Sequence, residues 1–176
     1  NCVHPGLLLI CTVASKVWDA ETKPIDFLCN RATRRDLNIT KCSGITTLST
    51  PVQLPCTELH VTSWENKSHQ EKRGDIGASL RLLIEGVKVL RGLSHPGCMA
   101  SLLQRLENNI NNYLLILTNL QLSGPTVSPS LSCIPRSSQS LRTVLLRYNQ
   151  LISGKLEQFM VNLENRCTNS VTQQRF

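Results

Sequence analysis

Cysteine and histidine are the residues here with the most chemistry to offer, and their spacing says which chemistry that is. The chain has eight Cys and four His in 176 residues. No C-x-x-C pair occurs, and His60, His69 and His95 lack metal-ligand spacing, so neither a zinc site nor a dithiol redox centre is indicated. There is no G-x-S-x-G elbow and no Gly-rich phosphate loop. No catalytic set, metal or cofactor is therefore expected, and the thiols are left with one ordinary chemistry, pairing as disulfides.

Disulfides require an oxidising compartment, and other features agree with one. Gly6 to Ala14 (GLLLICTVA) is an apolar run followed by small residues, too short to span a bilayer and placed like a secretory signal. Residues 1–21 are read as that leader, with cleavage after Ser15 or as late as Thr22, and residues 22–176 as one extracellular domain. Removing the leader takes Cys2 and Cys11 and leaves Cys29, Cys42, Cys56, Cys98, Cys133 and Cys167. Two sequons, Asn38-Ile39-Thr40 and Asn66-Lys67-Ser68, are candidate glycosylation sites of a secreted chain. No segment after the leader is expected to enter a membrane. Three Phe, two Trp and two Tyr are too few for a base-stacking surface, so the net charge of +7 points to an acidic partner or to solubility, not to nucleic acid.

The elements that must carry these cysteines are helical. In Gly74 to Leu122, Ile76, Leu80, Leu83, Val87 and Leu90 recur at steps of four and three. Met99, Leu102, Leu106, Ile110, Tyr113, Leu117 and Leu120 do the same after a break at Gly92, Pro96 and Gly97. This is a helical hairpin with Cys98 at its tip. A further stripe, Leu141, Leu145, Tyr148, Ile152, Leu156, Phe159 and Leu163, ends just before Cys167. Ile25 to Cys42 reads as a short, weakly amphipathic helix with Arg31, Arg34 and Arg35 on its polar face. Between these lie two long connections, 43–63 with Pro51 and Pro55 in extended backbone, and the Ser- and Pro-rich 123–140. Long loop, short loop, long loop predicts an all-α, up-up-down-down four-helix bundle with two crossovers.

That topology puts Cys29 beside Cys167 at one pole and Cys42 beside Cys98 at the other, leaving Cys56 and Cys133 in the crossovers. Six cysteines allow fifteen pairings, and the topology favours this one without proving it. The first helix is short for the role. Its 13 positions between Cys29 and Cys42 make about 20 Å of helix, against about 36 Å for Ser68 to Gly92, so both bonds require either that part of that stretch unwinds or that the bundle is shorter than these lengths imply.

Several runs resemble the erythropoietin/thrombopoietin family of helical cytokines. They are Pro51-Val52-Gln53-Leu54-Pro55, Trp64, Asp75-Ile76-Gly77-Ala78, Leu82-Leu83-Ile84-Glu85-Gly86-Val87 and Cys98-Met99-Ala100-Ser101-Leu102-Leu103, with a Gly154-Lys155 step in the last helix. The match covers roughly Cys29 to Cys167 and is closer to the thrombopoietin branch than to the erythropoietin branch. The resemblance implies a secreted, monomeric cytokine that engages the ectodomain of a single-pass cytokine receptor, and the same Cys29–Cys167 and Cys42–Cys98 pairings. It also implies a stronger receptor-binding face of Asn149, Gln150, Ser153, Gly154 and Lys155 with parts of the first crossover, and a weaker one to which Arg31, Arg34 and Arg35 are candidates. Ser153 stands where the family has Arg, which removes one cationic contact. Three further readings accompany it: an erythropoietin-like cytokine, an antagonist splice form, given the short first helix, and a secreted helical carrier of an apolar ligand. Gly154 in mid-helix costs about 1 kcal/mol relative to Ala, which either close approach of a receptor or packing against the crossover would explain.

Overall fold

The computed structural model describes Cys42, Gly44, residues 47–164 and Cys167. The expected leader, Asn38 and nearly all of the expected first helix lie outside these residues.

The long helices form where the stripes place them. A short helix α1 (Val61–Glu65) sits in the first crossover, followed by α2 (His69–Leu93) and α3 (Cys98–Asn119). Ser68 starts α2 with a full capping box: its hydroxyl accepts from the Glu71 backbone N–H while the Glu71 carboxylate accepts from the Ser68 N–H. Hydrogen bonding to the Glu71 carboxylate, first from the Ser68 backbone N–H and then from the Ser68 side chain, favours the ionised acid and holds the carboxyl below the usual range. The last helix is built of α4 (Leu141–Leu151), a π-helical turn (Ile152–Leu156) and α5 (Glu157–Leu163), which follow one another without a break.

Every residue of the α2 stripe and of the last-helix stripe is buried, as are those of α3 apart from the half-buried Met99. The hairpin is antiparallel, with Arg91 paired to Glu107 near its tip and the Arg73 guanidinium donating to the carbonyls of Leu117 and Leu120 at its base. The last helix also runs antiparallel to α2, since Lys155 meets Asp75 and Phe159 lies edge-on to His69. It therefore runs parallel to α3, as a second crossover requires.

Extended backbone was expected in the connections, but not that they would pair. Strand β1 (Thr47–Leu54) of the first crossover pairs antiparallel with β2 (Arg136–Ser140) of the second, with Val52 opposite Ser138 and Leu54 opposite Arg136. Leu48, Val52 and Leu54 point into the core and their neighbours outward, the alternation of a one-sided sheet. The strand lies so close to α2 that a Cβ on Gly86 would sit 2.9 Å from Val52 Cγ1. Two disulfides tie the same parts together: Cys42 with Cys98 at the hairpin tip, and Cys56 with Cys133 just beyond the paired strands. Cys167 is also disulfide-bonded; Cys29 lies outside the described residues.

Candidate functional site

The residues expected to form the stronger face fall in and just before the π-helical turn. A π turn inserts a residue into the helical repeat, so side chains on either side of it are rotated from their α-helical positions, and such bulges recur at functional sites. Here Gln150 and Ser153 face solvent, Asn149 and Gly154 are half-buried, and Lys155 is buried. The Ser153 hydroxyl donates to the Asn149 carbonyl at 2.7 Å, which keeps that short side chain against the helix.

Gly154 is the informative member of the group. A Cβ built on it meets nothing within 4 Å. Packing against the crossover therefore does not account for the glycine, although a mid-helix glycine costs stability.

Lys155 departs from its expected role as a surface contact. Its side chain is 3 % exposed, and its ammonium donates to both Asp75 carboxylate oxygens at 3.1 Å, to the Cys56 carbonyl at 3.1 Å and to the Ser132 hydroxyl at 3.0 Å. An ammonium has three hydrogens, and this one has a protein acceptor for each. The physical reason is desolvation: a buried cation must be neutralised and hydrogen-bonded, and the anion that does this is on α2. Asp75 takes a further contact from Lys67 at 3.4 Å. Trp64 of α1 closes the cluster, with the ammoniums of Lys155, Lys72 and Lys67 at 5.5, 5.9 and 6.0 Å from its ring.

Beside this cluster the first crossover joins the face. Thr57 Oγ1 donates to Gln150 Oε1 at 2.9 Å, and the Arg147 guanidinium donates to Thr57 Oγ1 at 3.2 Å and to Gln150 Oε1 at 3.4 Å. Next to them a groove of about 640 Å³ is lined by Cys56, Glu58, His60, Cys133, Arg136 and Arg147, among others. With Arg136 and Arg147 in its wall, the groove suits an acidic or carbonyl-bearing partner group.

Residues 22–170 match the family model described as Erythropoietin/thrombopoietin. The chain belongs to this family. Its relatives include the thrombopoietin of Canis lupus familiaris, 31% identical over 119 residues, and that of Mus musculus, 30% identical over 123 residues, each alignment covering 67% of this chain and 32% of the relative. The thrombopoietin of Rattus norvegicus is 32% identical over 119 residues, covering 67% of this chain and 35% of the relative. The chain thus spans about a third of the length of the curated relatives it matches. The fold is that family's four-helix cytokine bundle, and here the β1–β2 ribbon joins its two crossovers.

Of the other expected sites, Asn66 is exposed, at the C-terminal cap of α1 and two residues before α2. Arg31, Arg34, Arg35 and Asn38 lie outside the described residues. Ser132 and Thr57 were not singled out from sequence, and Asp75 was named only within a family-like run, without a site role. Asp75 had a readable signal: Lys72, Asp75 and Ser79 recur at steps of three and four beside the apolar stripe, and all three are buried. Ser132 and Thr57 sit in aperiodic loops, where nothing in the pattern marks them.

Proposed function

We propose that this chain is a secreted, thrombopoietin-like cytokine, without catalytic activity, that acts by binding the ectodomain of a single-pass cytokine receptor. Its principal contact surface is the solvent side of the last helix around Asn149, Gln150, Ser153 and Gly154, continued at the exposed Glu58 by the first crossover, which the buried Thr57 holds against Gln150. Gly154 carries this reading: it stands in a π turn, at a cost in helix stability, with open space where its side chain would be. An open glycine of this kind lets a partner's backbone come close. The exposed basic groups nearby, together with the net charge of +7, favour an acidic receptor loop.

A carrier of apolar ligands is less well supported, because the stripes close on each other: Ile76, Leu80, Val87, Ile110, Tyr148 and Phe159 are all 0 % exposed. The disulfides and the exposed Asn66 sequon suit secretion, and no helix among the described residues is long and apolar enough to cross a membrane. The test is titration of the purified chain against immobilised thrombopoietin-type receptor ectodomain. Saturable one-to-one binding supports the proposal. Binding that is absent, or unchanged when Gln150 and Ser153 are both replaced by Glu in a folded variant, removes it.

A further inference from the structure

Lys155 uses all of its donors inside the molecule, yet it belongs to the turn that carries Gly154. Its four acceptor atoms come from three different places: Asp75 from α2, the Cys56 carbonyl from the first crossover and the Ser132 hydroxyl from the second. Cys56 and Ser132 adjoin a single covalent link, since Cys56 is bonded to Cys133. Thr57, which donates to Gln150 on the helix surface, directly follows Cys56. One chain of contacts therefore runs from the buried ammonium, through the crossover disulfide, to the side chains of the proposed face.

We propose that Lys155 is a positioning residue for receptor recognition, and that the Cys56–Cys133 disulfide is the tether through which it acts. The disulfide holds the Cys56 carbonyl and the Ser132 hydroxyl where one ammonium can donate to both. The ammonium in turn draws the two crossovers onto the π turn. Thr57 is thereby kept within hydrogen-bonding distance of Gln150, and the crossover part of the face is in place before a receptor arrives. Order established in advance removes an ordering cost from binding, so loss of the tether lowers affinity without removing any residue of the face. The core stripes do not run through this cluster, so the bundle keeps its helices when the tether is cut.

This inference rests on the proposed face, and its test separates the two. Three variants are compared with the unaltered chain: Ser132→Ala, Ser132→Thr and the double replacement Cys56→Ser/Cys133→Ser. Two readouts are taken, the affinity for immobilised thrombopoietin-type receptor ectodomain and the exchange of the Lys155 ammonium protons with water by 15N NMR. Ser132→Ala and the double variant are expected to bind roughly tenfold more weakly, equivalent to about 1.4 kcal/mol, and to show faster ammonium exchange at unchanged helicity. Ser132→Thr restores the hydroxyl and is expected to behave as the unaltered chain in both readouts. Wild-type affinity and wild-type exchange in Ser132→Ala overturn the tether, and this variant decides the matter if the double variant fails to fold. If the unaltered chain does not bind the receptor, the proposed face is what has failed. Ammonium exchange still judges the tether in that case: fast exchange in the unaltered chain refutes it.

Discussion

Replacing Gly154 by Ala separates stability from recognition more cleanly than any other change in this molecule. The backbone at Gly154 does not have positive φ, and the added Cβ meets no atom within 4 Å, so Ala is accommodated without strain. Ala has the better helical propensity and restricts the unfolded chain, which together stabilise by about 0.5–1 kcal/mol. For a domain of this size that raises the melting temperature by about 1–4 °C, measurable by circular dichroism. At the receptor the same methyl is an intrusion. Forcing an extra carbon into a packed interface costs about 1–3 kcal/mol, or roughly a 5- to 150-fold loss of affinity by surface plasmon resonance. The expected variant is therefore more stable and a poorer ligand. A lower melting temperature would show that something does pack against Gly154, and wild-type affinity would show that no receptor backbone approaches it. Either result refutes the argument from the open glycine.

The buried pair is expected to behave asymmetrically: Asp75→Ala, which strands the Lys155 ammonium, destabilises by about 3–5 kcal/mol in urea titration, while Asp75→Ala/Lys155→Met costs less than Asp75→Ala alone. Gly86→Ala is expected to destabilise by about 1–3 kcal/mol, because the new methyl strikes Val52 on β1 at 2.9 Å; the same thermal melt reads it. Burial pushes the Tyr148 phenol up to about 12, against the opposing effect of its hydrogen bonds to Asn109 and Tyr113. Its folded pKa thus lies above the unfolded value near 10, so its contribution to stability is complete below about pH 10 and is lost as pH rises toward 12; ultraviolet titration of phenolate, compared between the unaltered chain and Tyr148→Phe, checks this.

How far the sequence could be read depended on whether a residue takes part in a periodic pattern. The three apolar stripes of α2, α3 and the last helix were legible because burial on a helix forces apolar side chains to recur every three or four positions. The crossover lengths then restricted the topology, and with it the Cys42–Cys98 contact at the hairpin tip. The ribbon was not legible. Its strand partner, Arg136-Ser137-Ser138-Gln139-Ser140, has no hydrophobic alternation to mark it as a strand, and its pairing with β1 is a long-range contact.

At the site, Gly154 was readable as a mid-helix cost needing a reason, but whether that reason was internal packing or an external partner required knowing what surrounds it. Lys155 was harder. A lysine reads as solvated by its charge, although Lys155 lies seven residues after Tyr148 and three after Ile152, on the buried side of the stripe; an aspartate eighty positions earlier in the chain supplies the counter-charge that lets it stay there. Long-range electrostatic partners of this kind leave no local mark in a sequence.

The most direct test of the account is hydrogen–deuterium exchange of the chain alone and saturated with thrombopoietin-type receptor ectodomain. Binding on the proposed face is expected to slow exchange in peptides covering residues 149–154 and 56–58 together, since the two segments form one surface through Thr57 and Gln150. A saturated complex in which neither segment gains protection would contradict it.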